Sequence, residues 1–145
     1  TSKELNQRVG IISFLDILPQ MRVCQLGNLW YSPLVYFTKV NTEVVYLMLS
    51  EVFDLLNYRR VEWKCDALNA RSRSAAARLG FSFERIFRQH WIVKNRDWDT
   101  AWFAMTEKDW PNIKTNMIRW LCSGDSSISL SALNEKLLQP SCKEI

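Results

Sequence analysis

A chain of 145 residues is enough for one domain, and 48% hydrophobic residues with seven Trp and seven Phe can build a real core, which excludes a disordered chain. No apolar run reaches the roughly 20 residues that span a bilayer, TSKELNQ has no signal-peptide core, and Cys24, Cys65, Cys122 and Cys142 form no C-x-x-C pair. One histidine cannot complete a usual zinc site, so the expectation is a soluble cytoplasmic protein with free thiols, and its net charge of +4 suits a phosphate-rich ligand as well as nucleic acid.

In chain order, residues 8–18 (RVGIISFLDIL) are apolar and β-branched enough for a strand, which Pro19 stops. A turn at Pro19-Gln20 leads into a second strand over 23–31 (VCQLGNLWY), and the two are expected to form a hairpin. After Pro33 a helix is expected to begin near Asn41 or Thr42. Its polar positions Glu43, Ser50, Glu51, Asp54 and Asn57 fall on one stripe, while Val45, Met48, Leu49, Val52 and Leu56 fill the remainder, so it reads as largely buried. Tyr36 and Phe37 just before it offer either a stacking surface for a ligand or core, and the expectation is core.

The stretch 60–81 (RVEWKCDALNARSRSAAARLGF) carries the most specific pattern in the chain. Val61, Trp63 and Cys65 alternate with Glu62, Lys64 and Asp66, the period of a half-buried strand. Asn69 stands where a helix cap belongs, good helix formers follow over 75–78, and Gly80 ends the helix before Phe81 returns to the core. In open α/β sheets ligands sit beyond the carboxyl ends of strands, and the loop 66–74 brings Asn69, Arg71, Ser72 and Arg73 to a helix N-terminus, which favours anions. A phosphorylated ligand fits there; so does the plainer reading in which Asn69 only caps and the arginines are solvated.

The run 83–93 (FERIFRQHWIV) alternates poorly but is strongly β-forming, and Asn95-Arg96-Asp97 is expected to turn it back into a strand over 98–106. His90 can take a proton near neutral pH, although beside tryptophan a packing role is favoured. Thr106 and Asp109-Trp110-Pro111 read as a cap and helix start, with Ile113, Met117, Trp120 and Leu121 recurring at helical spacing. A Ser/Gly-rich loop over 122–131, a short helix over 131–138 and a mobile end over 140–145 complete the reading.

Asn69-x-x-Ser72 followed by Leu79-Gly80-Phe81, behind a strand and a short loop, resembles the helix that binds coenzyme A in the GNAT acetyltransferase superfamily. More narrowly, residues 59–81 with FRQHWIV resemble the branch of ribosomal-protein N-terminal acetyltransferases. The resemblance covers residues 8–111. It implies an α/β (α+β) fold, a partial GNAT domain over 1–111 with a mixed, mostly antiparallel sheet flanked by helices, and a helical extension over 112–145. The family's first strand, two helices and second strand have no counterpart, so the chain is expected to be either a fragment of a longer protein or a shortened form.

The implied function is transfer of acetyl from acetyl-CoA to a primary amine, a protein N-terminus or a small molecule, by direct attack. Backbone N–H groups at Leu29, Trp30 and Tyr31 would hold the oxyanion, and Thr38, Lys39, Val40, Asn41 and Thr42 would hold the phosphates at a helix start. Asn69 would bind the amide arm of the cofactor with Ser72 and Arg73 beside it. Ser72 would protonate the leaving sulfur, or else only hydrogen-bond the backbone of its own first turn.

Three departures stand against that pattern. Residues 36–41 (YFTKVN) lack the glycines that commonly close around phosphate, Gln25 replaces a glutamate that can order or deprotonate the amine, and Ala76 replaces a tyrosine donor. Glutamine is no base, which leaves Glu62 as a conceivable substitute or as a solvated strand residue. The alternative function is therefore a GNAT-like cofactor-binding or interaction module without chemistry. A membrane partner is not expected, an oligomer is compatible, and nucleic acid is disfavoured because the arginines gather at one helix rather than along an aromatic-studded stripe.

Overall fold

The computed structural model describes residues 6–123 and 128–138. The chain runs β1 (Gly10–Leu18), β2 (Val23–Tyr31), a short 3-10 turn (Pro33–Val35), α1 (Val40–Ser50), a π-helical turn (Glu51–Leu55), β3 (Arg60–Asp66), α2 (Ala70–Arg78), β4 (Ser82–Val93), β5 (Arg96–Thr106), α3 (Trp110–Cys122) and α4 (Leu130–Leu138). The expected mobile end at 140–145, with Cys142, lies outside the described residues.

Five strands form one sheet in the order β1-β2-β3-β5-β4. Only β2 and β3 run parallel; the other neighbours are antiparallel, as expected for a mixed sheet flanked by helices. Alternation sorts β3 into two faces. Val61 and Trp63 are buried and join Leu26, Phe81, Phe103 and Met105 beneath the helices. Val45 and Leu49 of α1, Ala76 and Leu79 of α2, Ile113 and Met117 of α3 and Leu130 of α4 close that core. Each large apolar side chain so buried contributes about 1.5–3 kcal/mol. On the opposite face Arg60, Glu62 and Lys64 form a charged row, with Glu62 bonded to Arg60 at 2.9 Å and to Lys64 at 3.0 Å.

Three expectations are corrected in detail. The helix begins at Val40, and its last part is a π-helical turn rather than a continuous α-helix. The β4–β5 turn is the pair Lys94-Asn95, with φ of 51° and 56° between the partners Val93 and Arg96. Two successive positive φ values twist the chain as a right-twisted hairpin requires, so β5 starts at Arg96, ahead of the expected Trp98. Tyr36 and Phe37 are exposed rather than core, and Phe37 has a φ of 61°. The poor alternation of β4 has a cause as well: the register slips between Phe83 and Arg85 and again between Phe87 and Trp91, where Gln89 takes a φ of 49°. The one extra residue at the first slip reverses the facing beyond it, and at the second slip three residues, 88–90, stand opposite Asp99 alone.

Gly80 closes α2 with a φ of 91°, and a Cβ there would lie 3.0 Å from the Ile113 side chain. Glycine is required on both counts: the left-handed conformation and the close approach of α3. The extension is docked onto the sheet domain by polar contacts too. Asn134 of α4 donates to the Arg78 carbonyl at 2.9 Å and accepts from Asn116 of α3 at 3.0 Å.

Candidate functional site

The site begins where two strands part. β2 and β3 pair from Val23–Arg60 to Leu26–Trp63, and beyond that register Gly27 to Tyr31 and Lys64 to Asp66 have no partners in each other. Asn28, at a φ of 53°, is the reason. Its left-handed turn coincides with a register shift against β1 between Ile11 and Ser13, a bulge that bends β2 away from β3. Asparagine tolerates that conformation better than most residues.

The bulge leaves donors on the open edge. Ser32 donates to Val9 O at 2.8 Å, toward β1, and backbone groups alternate sides along a strand. The N–H groups of Leu29 and Tyr31 therefore face the gap and that of Trp30 faces β1. Among the expected oxyanion donors, two point into the groove and one points away. The Tyr31 hydroxyl is buried without a partner among the described residues, and burial pushes its pKa up.

On the β3 side the corner is closed by α2. Asn69 Oδ1 accepts from Ser72 N at 3.0 Å, a standard cap that leaves its amide nitrogen at the exposed rim. The Trp63 indole Nε1 donates to Ser72 Oγ at 2.9 Å, so the last paired residue of β3 holds the first turn of α2. Arg73 turns back to donate to Ala67 O at 3.2 Å. Cys65, past the last β2–β3 pair but still paired with Ala101 of β5, lies beside Ser72: burial pushes its thiol up, while the Ser72 hydroxyl and the Arg73 guanidinium oppose that rise.

The third wall is the start of α1. Thr38 Oγ1 donates to Val35 O at 2.7 Å and accepts from Val40 N at 3.3 Å. The N–H groups of Asn41 and Thr42 have no partners among the described residues, and neither does the buried Asn41 Oδ1. Arg78 reaches from α2 to donate to Thr42 Oγ1 at 2.9 Å, and Trp120 of α3 stacks between Arg78, at 5.9 Å, and Lys39, at 5.4 Å. Lys39 Nζ also donates to the carbonyls of Leu121 and Ser123 at 2.9 and 2.7 Å, capping the end of α3. Among the described residues neither cation pairs with a carboxylate. Burial pulls the Arg78 guanidinium below its ordinary pKa range.

Two residues singled out from sequence take other roles. Glu62 stands directly across from Gln25, which is 8% exposed, but both its oxygens are in ion pairs. His90 bonds Thr100 Oγ1 through Nδ1 at 3.0 Å and packs among Phe87, Trp91 and Trp102, as a packing residue does. A cavity of about 790 Å³ lined by Asp66, Leu68, Arg88, Gln89, Arg96 and Asp99 opens between the loop after β3 and the β4–β5 hairpin. Asp66–Arg96 and Gln89–Asp99 contacts already satisfy much of its polar lining. Conversely, Arg78, Trp63 and Trp120 line the candidate site, and the sequence reading gave them no site role. Arg78 ends a helix and the tryptophans sit on apolar stripes, so their local pattern gives no sign of a neighbour far away in the chain.

Residues 1–82 match the family model described as an acetyltransferase (GNAT) domain. The fold is similar to a GCN5-related N-acetyltransferase from Brucella melitensis, with a TM-score of 0.86 and 37% identity over 92% of this chain and 63% of that one. It is also similar to a probable GNAT-family acetyltransferase from Chromobacterium violaceum, with a TM-score of 0.70 and 38% identity over 73% of this chain and 53% of that one. A spermidine N-acetyltransferase from Vibrio cholerae, 14% identical over 72% of this chain and 61% of that one with a TM-score of 0.64, shares the fold alone. No curated protein matches. The chain thus spans 63% and 53% of the two more similar structures. A family match over more than half of the residues, together with strands that part at a bulge and a capped helix at their fork, places this chain in the GNAT acetyltransferase family.

Proposed function

We propose that the chain forms the cofactor-binding part of an N-acetyltransferase that moves acetyl from acetyl-CoA to a primary amine, either a protein N-terminus or a small molecule. The observation that carries this reading is the parting of β2 and β3 after Leu26 and Trp63. A gap in a sheet exposes backbone donors that an amide-containing arm can satisfy, as a third strand would.

The pantetheine arm lies in the gap, with the Asn69 amide nitrogen at its rim. The phosphates meet the free N–H groups of Asn41 and Thr42, the positive end of the α1 dipole, and the Arg78 and Lys39 cations. Thr38 and Val40 shape that turn rather than contribute free donors. Direct attack by the neutral amine on the thioester carbon puts charge on its oxygen, where the Leu29 and Tyr31 N–H groups stabilise it. The carbon–sulfur bond then breaks, the sulfur takes the Ser72 hydroxyl proton, and Ser72 recovers a proton from water. The amine proton leaves through water, because Gln25 cannot accept it and Glu62 is held by two cations. Ordinary α-amines are mostly protonated at neutral pH, so the rate rises with pH through the amine range near 8.

A second reading is favoured by Gln25, by Ala76, and by the ion-paired Glu62: a module that binds acetyl-CoA without turning it over. Titration calorimetry with acetyl-CoA followed by CoA release on a panel of amines separates the two. Binding with release supports the enzyme, binding without release supports the module, and no heat of binding removes both.

A further inference from the structure

We infer that Trp63 is a positioning residue that makes Ser72 a dedicated hydrogen donor to the cofactor sulfur. The inference deepens the acetyl-CoA reading and rests on it. An indole N–H can only donate, and a serine hydroxyl has one hydrogen and two lone pairs. With Trp63 Nε1 donating to Ser72 Oγ at 2.9 Å, one lone pair is occupied and the hydroxyl hydrogen is free to be given elsewhere. Donation into the oxygen also polarises the O–H bond and makes it the stronger donor.

Both ends of the contact are fixed. Trp63 is 3% exposed, packs against Phe81 with ring centres 5.5 Å apart, and occupies the last paired position beside Leu26. Ser72 N is held by the Asn69 cap at 3.0 Å, which sets the serine backbone. Among the described residues the Ser72 hydroxyl makes no bond to the carbonyl of the preceding turn, the usual resting place of a helix serine. The nearby Cys65 thiol, past the last β2–β3 pair, is a weak acceptor that a cofactor thiolate displaces. The oxygen therefore sits at the fork of the two strands, where a thioester threaded between them ends. When the carbon–sulfur bond breaks, its electron pair stays on sulfur and the Ser72 proton follows; water restores the hydroxyl.

The test uses CoA carrying a carbon label beside the sulfur, bound to the full chain and titrated by NMR. In the wild type the bound thiol is expected to ionise more readily than free CoA. Ser72→Ala should reduce its acid dissociation constant about tenfold, the loss of a hydrogen bond to a charged group, and Trp63→Phe about threefold. Both variants are titrated at CoA concentrations that saturate them, so that the constant read is that of the bound thiol. Ser72→Thr should restore the wild-type value, and the double variant should be no worse than Ser72→Ala alone, because Trp63 acts through the serine. A wild-type thiol titration in Trp63→Phe, or an additive double variant, overturns the inference while leaving CoA binding intact. Absence of CoA binding by the wild type overturns the underlying reading as well. A second measurement needs no Trp63 variant: the Trp63 indole N–H resonance should shift as the bound thiol ionises, and lose that response in Ser72→Ala. An indole resonance blind to thiol ionisation in the wild type refutes the coupling.

Discussion

The groove is flanked by two helix starts that meet the same physical problem to different degrees. Every helix begins with backbone N–H groups that have no partner inside it. At α2 the chain supplies most of its own: Asn69 Oδ1 takes Ser72 N at 3.0 Å and Leu68 O takes Ala70 N at 2.9 Å, leaving Arg71 N without a partner among the described residues. At α1 the residue before the helix, Lys39, offers no side-chain acceptor, and the N–H groups of Asn41 and Thr42 stay unpaired among the described residues. Arg78 is brought to that second start through Thr42 Oγ1, while Lys39, the residue before the helix, turns its amine to the carbonyls at the end of α3. A satisfied helix start is a rigid support, and an unsatisfied one with extra positive charge is a receptor for an anion. In the function proposed above the pair divides the work: α2 aims side chains at the fork, and α1 receives phosphate.

That contrast predicts different consequences for changes at the two ends. The largest is expected at the α1 start. Arg78→Ala removes a half-buried charge-assisted donor and should weaken acetyl-CoA binding by about 10–100-fold, the equivalent of one hydrogen bond to a charged group. Arg78→Lys should recover part of the loss, and the salt dependence of binding measured by calorimetry should flatten in Arg78→Ala. Equal affinity in wild type and Arg78→Ala would place the phosphates elsewhere.

At the α2 start the loss should be in stability. Asn69→Ala removes the cap and is expected to cost about 1 kcal/mol, read as a lower midpoint in urea with an unchanged slope. Its effect on CoA affinity should be the smaller one. A variant with full stability but lost affinity would reverse the assignment of the two helices.

Phe37, in the turn that precedes α1, holds a left-handed φ of 61° with its ring fully in water. A bulky residue pays strain there, whereas glycine does not. Phe37→Gly should therefore be neutral or stabilising by up to about 1 kcal/mol in thermal melts, the relief of strain being partly offset by the extra freedom of the unfolded chain. A clear loss of stability would mean that the ring makes contacts the fold needs.

The smallest expected effect lies outside the site and serves as a control. Glu84 accepts two bonds from Arg60, at 2.8 and 2.6 Å, and that guanidinium holds its carboxyl below the usual range. A carboxylate depressed in the folded state adds stability above its unfolded pKa and loses it as pH falls through the folded value. Glu84→Gln should flatten the acid limb of the stability curve below about pH 4.3 and leave CoA binding unchanged. Because the pair is largely exposed, the change should be a few tenths of a kcal/mol.

Much of the corner is legible in the chain itself because its determinants are local. The alternation of Val61, Trp63 and Cys65, the Asn69 cap and the left-handed Gly80 are each visible within a few residues, and each is found as a strand, a cap and a helix end. The failures share one cause. Tyr36 and Phe37 read as core by composition, yet the turn between β2 and α1 runs over the surface and carries them outward. The poor alternation of β4 is an honest signal of two slips in register, but a sequence does not tell which residue is the extra one. Lys39 was expected among the phosphate-holding residues, and only the docking of α3 shows that its amine also caps that helix.

Local chemistry, written residue by residue, determined the strand, cap, helix and stop of the 60–81 segment, because hydrophobic period, capping and left-handed glycine act over distances of a few residues. Tertiary structure decided where β2 leaves β3, which N–H groups face the gap, and that Arg78, Trp120 and Thr42 meet at one helix start. Those depend on a bulge and on contacts between residues as many as 84 positions apart, Lys39 to Ser123, and no local preference encodes an encounter at that range.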